Sequence, residues 1–392
     1  MKVQGYCAPR FAEVRAIFEK SFEAGEELGA ALAFCLDGEM VVDLWGGHLD
    51  RERTRSWEPD TLVNTYSTTK GMTALCAHQL VERGLLDLDA PVASYWPAFA
   101  AEGKERIPVR WLLSHQAGLP AVRRPLPPEA VYDWDTMTGA LAAERPWWEP
   151  GTRHGYHALT FGFLVGEVIR RVSGRSVGSF LRENVTGPLG ADFHIGLAAE
   201  DETRTSDLHG RMAPPSPADG GREIPGPLGR LLRDMNDPTT MTGAAFQNPP
   251  GRADRVNTRA WRAAEIPAAN GHGTARALAR IYGALARGGE QDGVRLLEPA
   301  SIDRAREEQA FGPDAVLGGL PMRFGLGFML RHDLMPISPS PGAFGHPGAG
   351  GSIGVADPDA RLGFGYVTNE MKMGLVGGPG AFAALQAFHR LL

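Results

Sequence analysis

STTKGMTALCAHQLVERG, residues 67–84, is the stretch from which the rest of the chain is read. Its apolar residues Met72, Leu75, Cys76 and Leu80 recur at helical spacing, so the segment is predicted as a helix opened by Ser67, with Lys70 one turn in. A serine hydroxyl is a poor nucleophile until a neighbouring base takes its proton, and a lysine acts as that base only where its surroundings leave it neutral part of the time. The first turn of a helix adds free N–H groups and partial positive charge where an oxyanion would form. The same residues also fit a capping serine followed by a surface lysine, so the chemistry depends on partners elsewhere in the chain.

Working outward, residues 29–36 and 40–45 are β-like runs joined by Asp37-Gly38, a strong hairpin signal, and residues 11–25 before them place apolar groups at helical spacing. Further helices are expected at 108–114, 159–172, 177–184, 275–287, 301–309 and 381–391. β character returns at 324–330, 352–356 and 362–368, the last two joined by a turn at Asp357-Pro358-Asp359-Ala360. Strands at both ends with helices between them predict an α+β protein, with one antiparallel sheet built from both termini, flanked by helices and carrying a mostly helical inserted region. The expected division is 1–91 with 261–392 as the sheet region and 92–260 as the helical, loop-rich region, with the active site in the cleft between them. Residues 198–258 are rich in Pro and Gly, with little periodicity, and are expected to be a functional or decorative excursion.

A net charge of −6 over 392 residues gives no basic footprint for nucleic acid or an anionic membrane. No apolar run reaches membrane-spanning length and the first residues lack a signal-peptide core, so a cytoplasmic protein is expected. Cys7, Cys35 and Cys76 have neither disulfide-framework nor zinc spacing, so no metal and no cofactor is expected. The expected partner is a small molecule; the sequence does not define an oligomeric state.

Two later stretches supply candidate partners for Ser67 and Lys70. In Pro150-Gly151-Thr152-Arg153-His154-Gly155-Tyr156-His157-Ala158 a turn leads to a tyrosine just before a helix, where its phenol can project into a cleft and pass protons. In Phe344-Gly345-His346-Pro347-Gly348-Ala349-Gly350-Gly351-Ser352 the glycines let the backbone approach a substrate, a main-chain N–H can serve an oxyanion, and His346 can bind substrate or move a proton. Ser176 and Ser352 both sit in G-x-S-x-G patterns, but neither lies between a strand and a helix as a nucleophile elbow requires. Trp147 and Trp148 are candidates for an acyl pocket.

The order of these parts resembles the serine β-lactamase and penicillin-binding-protein superfamily, and most of all its class C β-lactamases and family VIII carboxylesterases. The resemblance extends to Leu112-Leu113-Ser114-His115-Gln116-Ala117-Gly118-Leu119, Ser173-Gly174, Pro188-Leu189-Gly190 and Gly273-Thr274-Ala275, and so covers nearly the whole chain. It implies a β-lactamase/transpeptidase-like fold, Ser67 as nucleophile, Lys70 as base partner and Tyr156 as the tyrosine of Y-x-N. It places His346-Pro347-Gly348 on K-T-G, the N–H of Ala349 beside that of Ser67 in the oxyanion hole, and Asn369 on an asparagine after the last strand.

Two departures shift the expected substrate. Ala158 replaces the asparagine of Y-x-N, and His346 replaces the K-T-G lysine with a neutral or part-time cation, which weakens recognition of amides and carboxylates. Short-chain carboxylic esters need neither contact. The expectation is therefore a carboxylesterase, with a β-lactamase, D-amino-acid peptidase or acyltransferase as alternatives within the fold, and a penicillin sensor or scaffold outside enzymology.

Overall fold

Asp37 and Gly38 both take positive φ (51° and 89°), the geometry of the tight hairpin turn that the dipeptide predicts. This turn joins β2 (Gly29–Leu36) to β3 (Glu39–Gly47), with β1 (Gln4–Cys7) paired along the outer side of β3. The computed structural model describes residues 2–210, 224–251, 255–372 and 379–392. The other strands of the main sheet are β4 (Ala310–Pro313), β5 (Pro321–Phe324), β6 (Met329–Leu330), β7 (Phe344–Pro347), β8 (Ile353–Asp357) and β9 (Leu362–Thr368). The order β1-β3-β2-β9-β8-β7-β6-β5-β4 is antiparallel throughout. The expected sheet from both termini is present, closed where β9 pairs with β2 from Leu362↔Leu36 to Thr368↔Ala30.

Alternation along β2 explains both layers that cover the sheet. Ala30, Leu32 and Phe34 face α1 (Ala12–Glu23) and the C-terminal helix Pro379–Arg390, where Phe34 stacks on Phe388 at 4.1 Å and Phe388 on Phe11 at 4.2 Å. Ala33 and Cys35 face the opposite way, toward the helix Ala275–Ala286. That helix lies close because β9 carries glycine beneath it: a Cβ on Gly363 would stand 2.2 Å from the Ala279 carbonyl oxygen.

Three expectations need correction. The helix that follows Ser67 is α2 (Thr69–Glu82), and it is buried on every side from Thr69 to Leu80 rather than along one face. It packs against the helices Thr160–Ser173 and Val177–Leu181 as well as against β7. The run 324–330 is two short strands, β5 and β6, because Gly325 and Gly327 turn the chain between them, Gly327 at φ 87°. The predicted helix 301–309 ends at Ala305, and the chain after it enters β4. Within 198–258, residues 211–223 and 252–254 lie outside the described residues, while Gly226–Met235 and Met241–Gln247 are helices. No helix of the described residues is long and apolar enough to cross a membrane.

Candidate active site

The approach to α2 fixes where Ser67 points. Tyr66 holds φ at 43°, an uncommon value for a bulky residue, and the N–H groups of Thr68, Thr69 and Lys70 then bond three residues back to the carbonyls of Thr65, Tyr66 and Ser67. Ser67 therefore sits in a tight turn one residue before the N-cap position, Thr68, rather than capping the helix. Instead its Oγ accepts a hydrogen bond of 3.1 Å from Lys70 Nζ.

Lys70 is the reverse of a surface lysine, being fully buried. Its Nζ also donates to the carbonyls of Ala158 (2.8 Å) and Ala268 (2.9 Å) and lies 4.8 Å from the centre of the Tyr156 ring. Two backbone carbonyls thus hold two of the N–H positions, and the remaining direction of the tetrahedral nitrogen is turned to Ser67. A neutral amine in this seat keeps both carbonyl bonds and presents its lone pair to the serine hydroxyl. Ala158 enters the site through its carbonyl, a contact that its side chain gave no reason to expect.

Tyr156 joins these residues. Burial raises its phenol pKa above the ordinary value, a hydrogen bond with Ser67 works against that rise, and the charge of Asp314 adds to it, so the hydroxyl remains a proton donor at neutral pH. The loop carrying Tyr156 is pinned residue by residue. Gly155 N–H donates to the His115 carbonyl (3.1 Å), Tyr156 N–H to Asp314 Oδ1 (3.0 Å) and His157 N–H to His115 Nδ1 (3.1 Å). His115, quoted from the sequence only as part of a recognisable segment, is buried here at φ 62° against Tyr156, Phe161 and Phe324.

His346 lies on β7 with its ring 6.1 Å from that of Tyr156. Its Nδ1 bonds the Pro347 carbonyl (2.7 Å), which leaves Nε2 as the lone-pair side, buried and unpartnered. Burial first, then the charge of Lys70, push its pKa down to about 3. Of the two states that the sequence left open at 346, neutral or part-time cation, burial favours the neutral one across the physiological range. His157 is pushed down to about 4 and His115 well below the ordinary value, chiefly by burial.

The turn after β7 presses against the Ser67 loop. A Cβ on Gly348 would lie 2.1 Å from the Thr65 carbonyl oxygen and 2.3 Å from Ser352 Oγ, so only glycine fits there. Among the described residues, the N–H groups of Ser67 and of Ala349, the next residue, bond no acceptor of the protein. Ser352 donates to the Thr65 carbonyl (2.7 Å) and meets Thr68 Oγ1 (3.2 Å), tying the two loops together. Ser176 caps the helix Val177–Leu181 and donates to Glu265 (2.5 Å).

Asn369 does not enter the site. It is buried, accepts from Gly29 N–H (2.9 Å), and donates to the His48 carbonyl and Ser206 Oγ (each 2.9 Å), a structural knot at the end of β9. Trp147 and Trp148 spend their indole N–H groups on the carbonyls of Ala121 (2.8 Å) and Arg153 (3.1 Å). Among the described residues no three His, Cys, Asp or Glu side chains converge as metal ligands.

The sequence matches the Beta-lactamase family over residues 14–387. The esterase/beta-lactamase LipL of Mycobacterium tuberculosis is 39% identical over 384 residues, spanning 96% of this chain and 85% of the relative. The crystal structure of a family VIII carboxylesterase is 42% identical with a TM-score of 0.89, covering 100% of both chains. A penicillin-binding protein homolog from Caulobacter crescentus is 40% identical, also with a TM-score of 0.89 and 100% of both chains covered.

Proposed function

This chain belongs to the Beta-lactamase family and is a serine hydrolase of that fold, and within the family we propose that it cleaves carboxylic esters of short acyl chain through an acyl-enzyme on Ser67. The observation that carries this reading is the fully buried Lys70 amine, held by the Ala158 and Ala268 carbonyls and aimed at Ser67 Oγ at 3.1 Å.

Ser67 Oγ attacks the ester carbonyl carbon as its proton passes to the Lys70–Tyr156 pair, and the N–H groups of Ser67 and Ala349 receive the oxyanion. Collapse of the tetrahedral intermediate breaks the bond to the alcohol oxygen, which takes a proton from the same pair and leaves. Water then attacks the acyl carbon, gives its proton to the pair, and releases the carboxylic acid with Ser67 restored. Lys70 Nζ lies 4.8 Å from the centre of the Tyr156 ring, and the two groups act in this reading as one acid–base pair.

The ester preference rests on His346 and Ala158. An uncharged imidazole at 346 supplies no fixed cation for the carboxylate of a β-lactam or peptide, and a methyl group at 158 supplies no amide contact. Two relatives agree in kind: LipL is named an esterase as well as a beta-lactamase, and the 42% identical structure is a carboxylesterase. β-Lactam cleavage is then a side activity.

The test is a substrate panel of short nitrophenyl esters, a chromogenic cephalosporin and D-amino-acid amides, with Ser67→Ala as control and mass-spectrometric mapping of the acylated residue. Ester turnover that vanishes in Ser67→Ala, with the acyl group on Ser67, is the expected result. An acyl group on Ser176 or Ser352 would overturn the assignment, and faster turnover of the cephalosporin than of every ester would overturn the substrate class.

A further inference from the structure

The loop between β4 and β5 holds an acid that the mechanism above does not use. Asp314 is completely buried, and its Oδ1 accepts three backbone N–H groups: Tyr156 (3.0 Å), Val316 (2.9 Å) and Leu317 (2.8 Å). The same two stretches meet again where Ala315 N–H donates to the His154 carbonyl (3.1 Å). Three N–H donors on one oxygen are the pattern of an ionised carboxylate, because a neutral acid offers its carbonyl oxygen less charge to share. Burial pulls the other way and raises the Asp314 pKa above the usual carboxylate value.

The groups around Tyr156 come from every element packed on it: Lys70 from α2, His115 from the loop after the helix Val109–Leu113, His154 and His157 from its own loop, and His346 from β7. In this set of bases Asp314 is the acid. Its second oxygen, Oδ2, and His154 Nε2 are buried without a hydrogen-bond partner among the described residues, and the Asp314 charge raises the His154 pKa against the effect of burial.

We propose that Asp314 is a positioning residue of the reaction, holding the Tyr156 main chain so that the phenol meets Ser67 and Lys70, and supplying the negative charge under which that pair exchanges protons. This rests on the Ser67 mechanism given above. Backbone position and charge are separable, because Oδ1 alone does the holding. Asp314→Asn keeps an acceptor oxygen and removes the charge, whereas Asp314→Glu keeps the charge and displaces the oxygen by one methylene.

The experiment measures kcat and KM for a short nitrophenyl ester from pH 5 to 11 in the full-length protein and both variants, with labelling of Ser67 by a fluorophosphonate and thermal unfolding in parallel. In Asp314→Asn the acid limb of kcat/KM, where the Lys70–Tyr156 pair takes up its proton, moves about one unit toward lower pH, since removing a nearby negative charge favours the form of the pair with one proton fewer. In Asp314→Glu the limb stays while kcat falls about 100-fold at nearly constant KM, the scale expected of a displacement near 1 Å. An unmoved limb in Asp314→Asn, or kcat within two-fold of wild type in Asp314→Glu, would overturn the proposal; each variant is read by itself, so loss of one to misfolding leaves the other decisive. If the fluorophosphonate does not label Ser67 in the wild-type protein, the failure belongs to the mechanism and not to Asp314.

Discussion

Replacing Tyr156 by Phe removes one oxygen from the site and almost nothing else. The ring keeps its place over Lys70 (4.8 Å) and its contacts with His115 (5.1 Å), His346 (6.1 Å) and Phe324 (6.3 Å). The main-chain bond from residue 156 to Asp314 does not involve the side chain and survives. What disappears is the proton path between Ser67, Lys70 and the leaving alcohol. General acid–base catalysis of this kind contributes about 10²–10⁴-fold, or about 3–5 kcal/mol of barrier at ~1.4 kcal/mol per decade. The folded state loses at most one hydrogen bond, worth about 1 kcal/mol net, and is relieved of a buried polar group, so Tm should move by no more than about 2–4 °C. The assay is kcat/KM on a short nitrophenyl ester beside a thermal melt. A large kinetic loss with a nearly unchanged melt is expected. Activity within ten-fold of wild type at an unchanged melt would refute the argument, because the phenol would then stand outside the proton path.

Two further outcomes follow from buried groups near the site. Ser352→Ala should still form the acyl-enzyme on Ser67 while losing about 1 kcal/mol of stability in urea unfolding, because the Thr65 carbonyl keeps the Thr68 N–H but gives up its second donor; retained stability with lost labelling would show that Ser352 is chemical rather than structural. Acid should weaken the fold before the carboxylates titrate. His78 and His157 are pushed down to about 4, and His272 and His346 to about 3, all by burial. Each folded pKa lies below the unfolded value near 6.5, so the unfolded chain binds more protons between them. Their stabilising contribution is complete above about pH 6.5 and declines as pH falls toward 4 and 3, by up to about 1.4 kcal/mol per pH unit for each histidine. Equal urea midpoints at pH 7 and pH 5 would contradict this.

Side-chain pattern made part of this molecule legible in advance. Asp37-Gly38 announced its turn because few residue pairs accept positive φ twice, and β2, β8 and β9 announced themselves by apolar runs between turns. β1 and β4 gave no such signal, since both lie at sheet edges with largely exposed or half-exposed residues. The spacing in α2 suggested one apolar face, yet the small residues Gly71, Ala74 and Ala77 allow close packing on the other sides too. Ser67, Lys70 and Tyr156 were proposed from order and spacing. The groups that prepare them, the Ala158 and Ala268 carbonyls, the positive φ of Tyr66 and the Asp314 clamp, are mostly backbone, and a backbone carbonyl has no letter of its own in a sequence.

The pairing of β2 with β9 also sets a timetable for synthesis. Leu36 waits for Leu362, so about 330 residues are made between the two, roughly 15–65 s at 5–20 residues per second. For that interval the β2–β3 hairpin leaves the ribosome with an apolar strand whose inner edge has no partner, the condition under which edges pair with other chains. The stability of the finished sheet is therefore reached only through an interval in which β2 depends on something other than β9 to cover its edge.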